Sequence, residues 1–232
     1  MNEYSDIIIE VGQTIIENTL VMIPDNIIHL TINASYDNPV TITSSTDLIA
    51  VSSTSGKVRL PHIPLLTVKN LMGLALQNIG LSVTGTALFF ETQTSNVVVE
   101  LTNVTFGGMG LYALQVTLQA NFSMALTHVV FTPTQMPGGL VSISSTLNTF
   151  NATLLFDQVT LSNYNFTSAG DLMVPISITT EQNQFVNVTF TDCTFQNNYI
   201  TNTGSNTASS AVFVKTLQPG DMTLNLTILR SV

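Results

Sequence analysis

Apolar residues recur along this chain at offsets of 0, +2, +4, +7 and +9 from a moving start. The pattern fits at Met72, Leu74, Leu76, Ile79, Leu81, at Val97, Val99, Leu101, Val104, Phe106, and at Phe122, Met124, Leu126, Val129, Phe131. It returns at Ala152, Leu154, Phe156, Val159, Leu161, at Val186, Val188, Phe190, Cys193, Phe195, and at Met222, Leu224, Leu226, Leu229, Ser231. Twenty-nine of these thirty positions are apolar, against six of the thirty between them, in a chain that is 44% hydrophobic. Alternation with period two predicts strands that bury one face. The step from +4 to +7 inserts two residues between one short strand and the next. Those pairs are Gln77 Asn78, Thr102 Asn103, Thr127 His128, Asp157 Gln158 and Thr191 Asp192. Asn and Asp tolerate the left-handed conformation, so the pairs predict tight corners after which the chain still points its apolar residues inward.

The repeats start 25, 25, 30, 34 and 36 residues apart, and each of the first five is followed by a third apolar strand. These third strands cover Ala87 to Gln93, Leu111 to Val116, Leu140 to Ser144, Leu172 to Ile178 and Ala211 to Thr216. All the length variation falls between the second and third strands, as in a solenoid whose turns stack rigidly while one corner varies. The expected fold is therefore all-β, with three short strands per coil and variable loops at one corner. It forms a single domain over 1–232, irregular over 1–65 and regular over 66–232. The sequence stops at Val232 inside a coil, and solenoid ends need a polar cap, so the chain is expected to be part of a longer one.

Like-on-like stacking of such coils resembles the right-handed parallel β-helix of the pectin-lyase-like type. Asn78 and Asn103, with Asp192 in the equivalent place, match that family's stacked asparagine corner. Phe195, Gln196, Asn197, Asn198 is similar to the FxxN motif of polymorphic outer-membrane adhesins, and Gly138, Gly139, Leu140, Val141 to their GGA(I/V) motif. Phe106, Phe131 and Leu161 lack the following Asn of that motif. In enzymes of this superfold the catalytic groups project from the third-strand face, which directs attention there.

Charge changes the functional picture more than the fold. Only 8% of residues are charged, with a net charge of -9, and Lys57, Arg59, Lys69, Lys215 and Arg230 form no cluster. A nucleic-acid backbone needs several grouped cations, so nucleic acid is excluded as a partner. Residues 70 to 90 are uncharged but carry Asn70, Gln77, Asn78, Ser82, Thr84 and Thr86, so no membrane-spanning segment is expected. The first twelve residues lack the basic start of a secretory signal. A lone cysteine, Cys193, excludes internal disulfides and multi-cysteine metal sites.

On the third-strand face the outward residues read as Phe89, Glu91, Ala113, Gln115, Ser142, Ser144, Pro175, Ser177, Phe213 and Lys215. A glycosidase needs two carboxylates within about 5 to 9.5 Å, and Glu91 is alone on this face. No catalytic residue, metal site or cofactor is assigned. Cys193 takes an inward position and reads as a small hydrophobe. His128 reads as a corner residue, and His29 and His62 have no ligand-spaced partner.

What remains is a loop surface. The loops Thr132 to Gly139, Ser162 to Asp171 and Gln196 to Ser210 carry Tyr164, Asn165, Asn197, Asn198, Tyr199 and Asn202. With Phe213, the candidate ligand-binding residues are Tyr164, Asn165, Asn197, Asn198 and Tyr199, types suited to stacking and hydrogen bonding. Asn33, Asn121, Asn151, Asn165, Asn187 and Asn225 head glycosylation sequons, while Asn103 heads one inside the corner ladder. The favoured reading is a non-catalytic β-helix module for adhesion or structural display, extracellular or at the cell surface, meeting a host or cell-surface glycan or protein. The alternative is a carbohydrate-active lyase or hydrolase on the same fold.

Overall fold

A computed structural model describes residues 5–12, 15–16, 21–22, 27–35, 40–44, 49–52, 66–69, 71–93, 96–107, 112–132, 140–168, 175–202, 212–216 and 220–232. Among them every regular element is a strand, and every strand pairing is parallel. This all-β, parallel arrangement is compatible with a parallel β-helix. The larger sheet runs in the order Ser5–Val11, Ile27–Ala34, Gly73–Val83, Val97–Gly107, Phe122–Thr127, Thr149–Asp157, Asn183–Thr191 and Met222–Leu229. A smaller sheet orders Val212–Thr216, Ile176–Thr180, Val141–Ser145, Leu114–Leu118, Leu88–Gln93, Ile49–Ser52, Leu66–Lys69 and Val21–Met22.

Register follows the apolar pattern. Leu74, Val99, Met124, Leu154 and Val188 form one column, and Leu76, Leu101, Leu126, Phe156 and Phe190 the next. Every one of these ten side chains is buried. Like residues therefore stack on like, and rings meet face to face: Phe106 on Phe131 with centroids 5.1 Å apart, Phe156 on Phe190 at 4.7 Å. Each such burial contributes roughly 1.5–3 kcal/mol before the entropy of ordering is subtracted, so the columns are the chief source of stability. The corners are also as expected. Asn78, Asn103, His128, Gln158 and Asp192 have φ of 58°, 53°, 54°, 54° and 52°. One left-handed residue turns the chain while both flanking strands keep their apolar side inward.

The structure extends the columns backward. Ile7 pairs with Leu30 and Leu30 with Leu74; Ile9 pairs with Ile32 and Ile32 with Leu76. The irregularity expected before residue 66 lies instead in strand order, because Leu66–Lys69 sits between Val21–Met22 and Ile49–Ser52.

Four expectations are corrected. Met72 is 40% exposed rather than inward. In the last repeat Leu224, Leu226 and Ile228 align with Val186, Val188 and Phe190, two residues along from the register read in the sequence. Alternation alone fits both registers; the corner decides. Arg230, with φ 47°, reaches Asp192 through Nε at 2.6 Å and Nη2 at 2.7 Å, and the Oγ of Ser231 accepts from the Cys193 amide at 3.0 Å. The same two-residue shift affects the fourth third-strand, where Ile176 and Ile178 are the buried residues and Ser177 and Thr179 face out. Pro175 and Ala113, expected to face outward, are buried.

Candidate functional site

The corners carry ladders of asparagine. Asn78 donates through Nδ2 to the Ala34 carbonyl at 2.9 Å and to Asn33 Oδ1 at 3.3 Å, and its own Oδ1 accepts from Asn103 Nδ2 at 3.0 Å. The Arg230 guanidinium continues this corner and holds the Asp192 carboxyl below the usual carboxylate range, chiefly by hydrogen bonding. A further ladder escaped the sequence reading. Asn96 Oδ1 accepts from the Asn121 amide at 3.2 Å, and Asn121 Oδ1 from the Asn151 amide at 3.0 Å. Its signal was visible: each Asn stands immediately before the first inward residue of its repeat, Val97, Phe122 and Ala152.

These ladders sort the sequons. The acceptor nitrogen Nδ2 is already donated by Asn33 to Glu10, by Asn103 to Asn78, and by Asn225 to Asn187 Oδ1 at 2.7 Å. Asn121 and Asn151 use backbone or Oδ1 instead, and with Asn187 they keep Nδ2 without a partner among the described residues.

The loop surface begins at a second left-handed corner, at Asn163 (φ 61°) and Asn197 (φ 54°). Asn197 donates Nδ2 to Asn163 Oδ1 at 3.2 Å, so it serves the ladder. Asn198 donates Nδ2 to the Leu161 carbonyl at 2.9 Å while its Oδ1 accepts the Tyr164 amide at 3.0 Å. The FxxN-like asparagine thus ties one repeat to the previous one. Tyr164, a candidate ligand contact in the sequence, is fully buried: its hydroxyl donates to the Thr132 carbonyl at 3.3 Å, and burial pushes its phenol well above the ordinary value. It occupies the position equivalent to Asn198 and fills the same corner with a ring.

Beyond these anchors the loops do not start as irregular chain. Asn165–Ser168 and Tyr199–Asn202 pair in parallel, with Asn165 beside Tyr199 and Phe166 beside Ile200. Two candidate residues are thereby brought into one register on a two-stranded ledge. The side chains of Asn165, Tyr199 and Phe213 lie outside what the structure describes, as do residues 133–139, 169–174 and 203–211 of the loops and His62.

On the smaller sheet Phe89, Gln115, Ser142, Ser177 and Phe213 share one column. Lys69, Ser52 and Glu91 stand at one register position in neighbouring strands. Two shallow depressions lie on the larger sheet. One, of about 330 Å³, runs past Asn78, Gly80, Asn103 and Gly107, and the other, of about 310 Å³, past His29, Met72, Gly73 and Glu100. His29 is held there by Asp6, Nδ1 to Oδ1 at 2.8 Å. Among the described residues no three His, Cys, Asp or Glu side chains converge on a possible metal position, and no helix is long and apolar enough to cross a membrane. No protein-family model, curated protein or solved structure matches the chain.

Proposed function

We propose that this chain is a non-catalytic display module: a right-handed parallel β-helix of the pectin-lyase-like type that presents its variable corner to a glycan or protein outside the cell or at its surface. Right-handedness follows the general rule for parallel crossovers. The observation that carries the reading is the ledge of Asn165–Ser168 and Tyr199–Asn202, held on the stack by Asn198 and Tyr164. A rigid scaffold whose longest insertions leave from a fixed, hydrogen-bonded point is how recognition loops are generally mounted. The likeness of Phe195 to Asn198 to an adhesin repeat points the same way.

The test is binding of the purified chain to panels of immobilised glycans and cell-surface proteins, repeated with the double variant Asn165→Ala, Tyr199→Ala. Loss of binding with an unchanged far-UV circular dichroism spectrum is expected. Binding that survives the double variant, or release of reducing sugar from a polysaccharide, would overturn the reading.

A further inference from the structure

The outer side of Asn183–Thr191 brings together three residues that the proposed display function does not use. In this strand Gln184, Val186, Val188 and Phe190 are buried, so Phe185, Asn187 and Thr189 share the opposite side. Phe185 is 46% exposed, and its ring stacks on no other ring among the described residues. Thr149–Asp157 pairs with this strand on one side and Met222–Leu229 on the other, so the exposure belongs to the face of the sheet and not to an edge.

Asn187 heads the sequon Asn187, Val188, Thr189. Asn225 holds the Asn187 carboxamide through its Oδ1 at 2.7 Å, which leaves Nδ2 without a partner among the described residues. Phe185 stands two residues earlier on the same side, about 6.6 Å back along the strand. Of the seven sequon asparagines only Asn187 has an aromatic residue at that place. We propose that Asn187 is an N-glycosylation site whose first sugar lies over the ring of Phe185. The inference rests on the reading that the chain works outside the cell or at its surface, because the transfer takes place in the compartment through which such chains pass. In that transfer Nδ2 attacks the anomeric carbon of an oligosaccharide carried on a polyprenyl diphosphate. The N–C bond forms as the C–O bond to phosphate breaks, the lipid diphosphate leaves, and Nδ2 gives up one proton. An N-acetylhexosamine presents one face of C–H bonds, which packs on the electron-rich face of an aromatic ring. Leaning back along the strand from Asn187, that face covers the exposed ring.

The full chain, secreted from a eukaryotic host behind a supplied leader, tests this by glycopeptide mapping. Asn187 is expected to be occupied, and Phe185→Ala, at an exposed position that leaves the core columns intact, to lower that occupancy. Trimmed to the first sugar, the secreted chain is expected to melt higher than the unglycosylated chain made in bacteria. That margin should shrink by about 2–4 °C in Phe185→Ala, since sugars at other sequons contribute equally in both backgrounds. Glycan at other sequons, Asn151 included, with Asn187 bare would overturn the proposal. So would the absence of glycan at every sequon, or a margin that Phe185→Ala leaves unchanged. With the leader supplied, these outcomes are independent of the binding test on Asn165 and Tyr199, whose failure would count instead against the display reading.

Discussion

Replacing a left-handed corner residue by glycine has opposite consequences at two corners of the same stack. Asn78 and Gln158 have nearly the same backbone, with φ 58° and 54°. Their side chains do different things. Asn78 donates part-buried bonds to the Ala34 carbonyl and to Asn33 and accepts one from Asn103, whereas the exposed Gln158 makes no side-chain hydrogen bond among the described residues. Three lost hydrogen bonds, two at about 1 kcal/mol each and the longer one to Asn33 at less, with glycine's added unfolded-state freedom roughly cancelling the relief of the left-handed backbone, make Asn78→Gly destabilising by about 2–3 kcal/mol. Asn78→Ala loses the same bonds and adds a left-handed alanine at a further ~1 kcal/mol. Gln158→Gly removes a left-handed penalty of about 1–2 kcal/mol against an entropy cost of about 0.5–1, a net stabilisation of roughly 0.5 kcal/mol. For a chain of this size that is an increase of about 1–2 °C in melting temperature. The chain has no tryptophan, so far-UV circular dichroism during thermal and urea unfolding is the suitable probe. If the two glycine variants shift the midpoint in the same direction, or if Asn78→Ala is as stable as Asn78→Gly, the division between ladder bonding and backbone strain is wrong.

Two further outcomes follow from buried groups. Tyr164 is held neutral by burial, so its contribution to stability is complete below the ordinary phenol value near pH 10 and is lost as pH rises above it, when only the unfolded chain ionises readily. In absorbance titration one of the five tyrosines should resist ionisation until the circular dichroism signal collapses, and Tyr164→Phe should cost about 1 kcal/mol while removing that resistant step. Cys193 is buried with its thiol donating to the Phe156 carbonyl at 3.3 Å, and desolvation pushes its titration upward. It should therefore be inert to a thiol reagent at pH 8 in the native chain and react fully in urea; rapid native labelling would contradict its burial.

Much of this structure was legible because a parallel stack repeats one local rule. Period-two alternation with a two-residue corner depends on neighbours a few positions apart, so it named most inward columns and the corner pairs without any tertiary information, while the structure put the left-handed residue of the Asp157 Gln158 pair on Gln158 rather than on the aspartate. What the pattern could not determine was register in steps of two, because alternation is indifferent to such a shift. Long-range contacts decided it: Arg230 on Asp192 and Ser231 on Cys193, each 38 residues apart, moved the last repeat along. The candidate surface divided in the same way. Tyr164 and Asn198 looked like loop residues in the sequence, where one is an aromatic and the other an amide with no evident tie. Only stacking on the previous repeat, through the Thr132 and Leu161 carbonyls, made them anchors and left Asn165 and Tyr199 side by side on the ledge they support. Burial periodicity is written locally in a chain, whereas the partner of a polar group at a corner is chosen by whichever repeat comes to lie beside it.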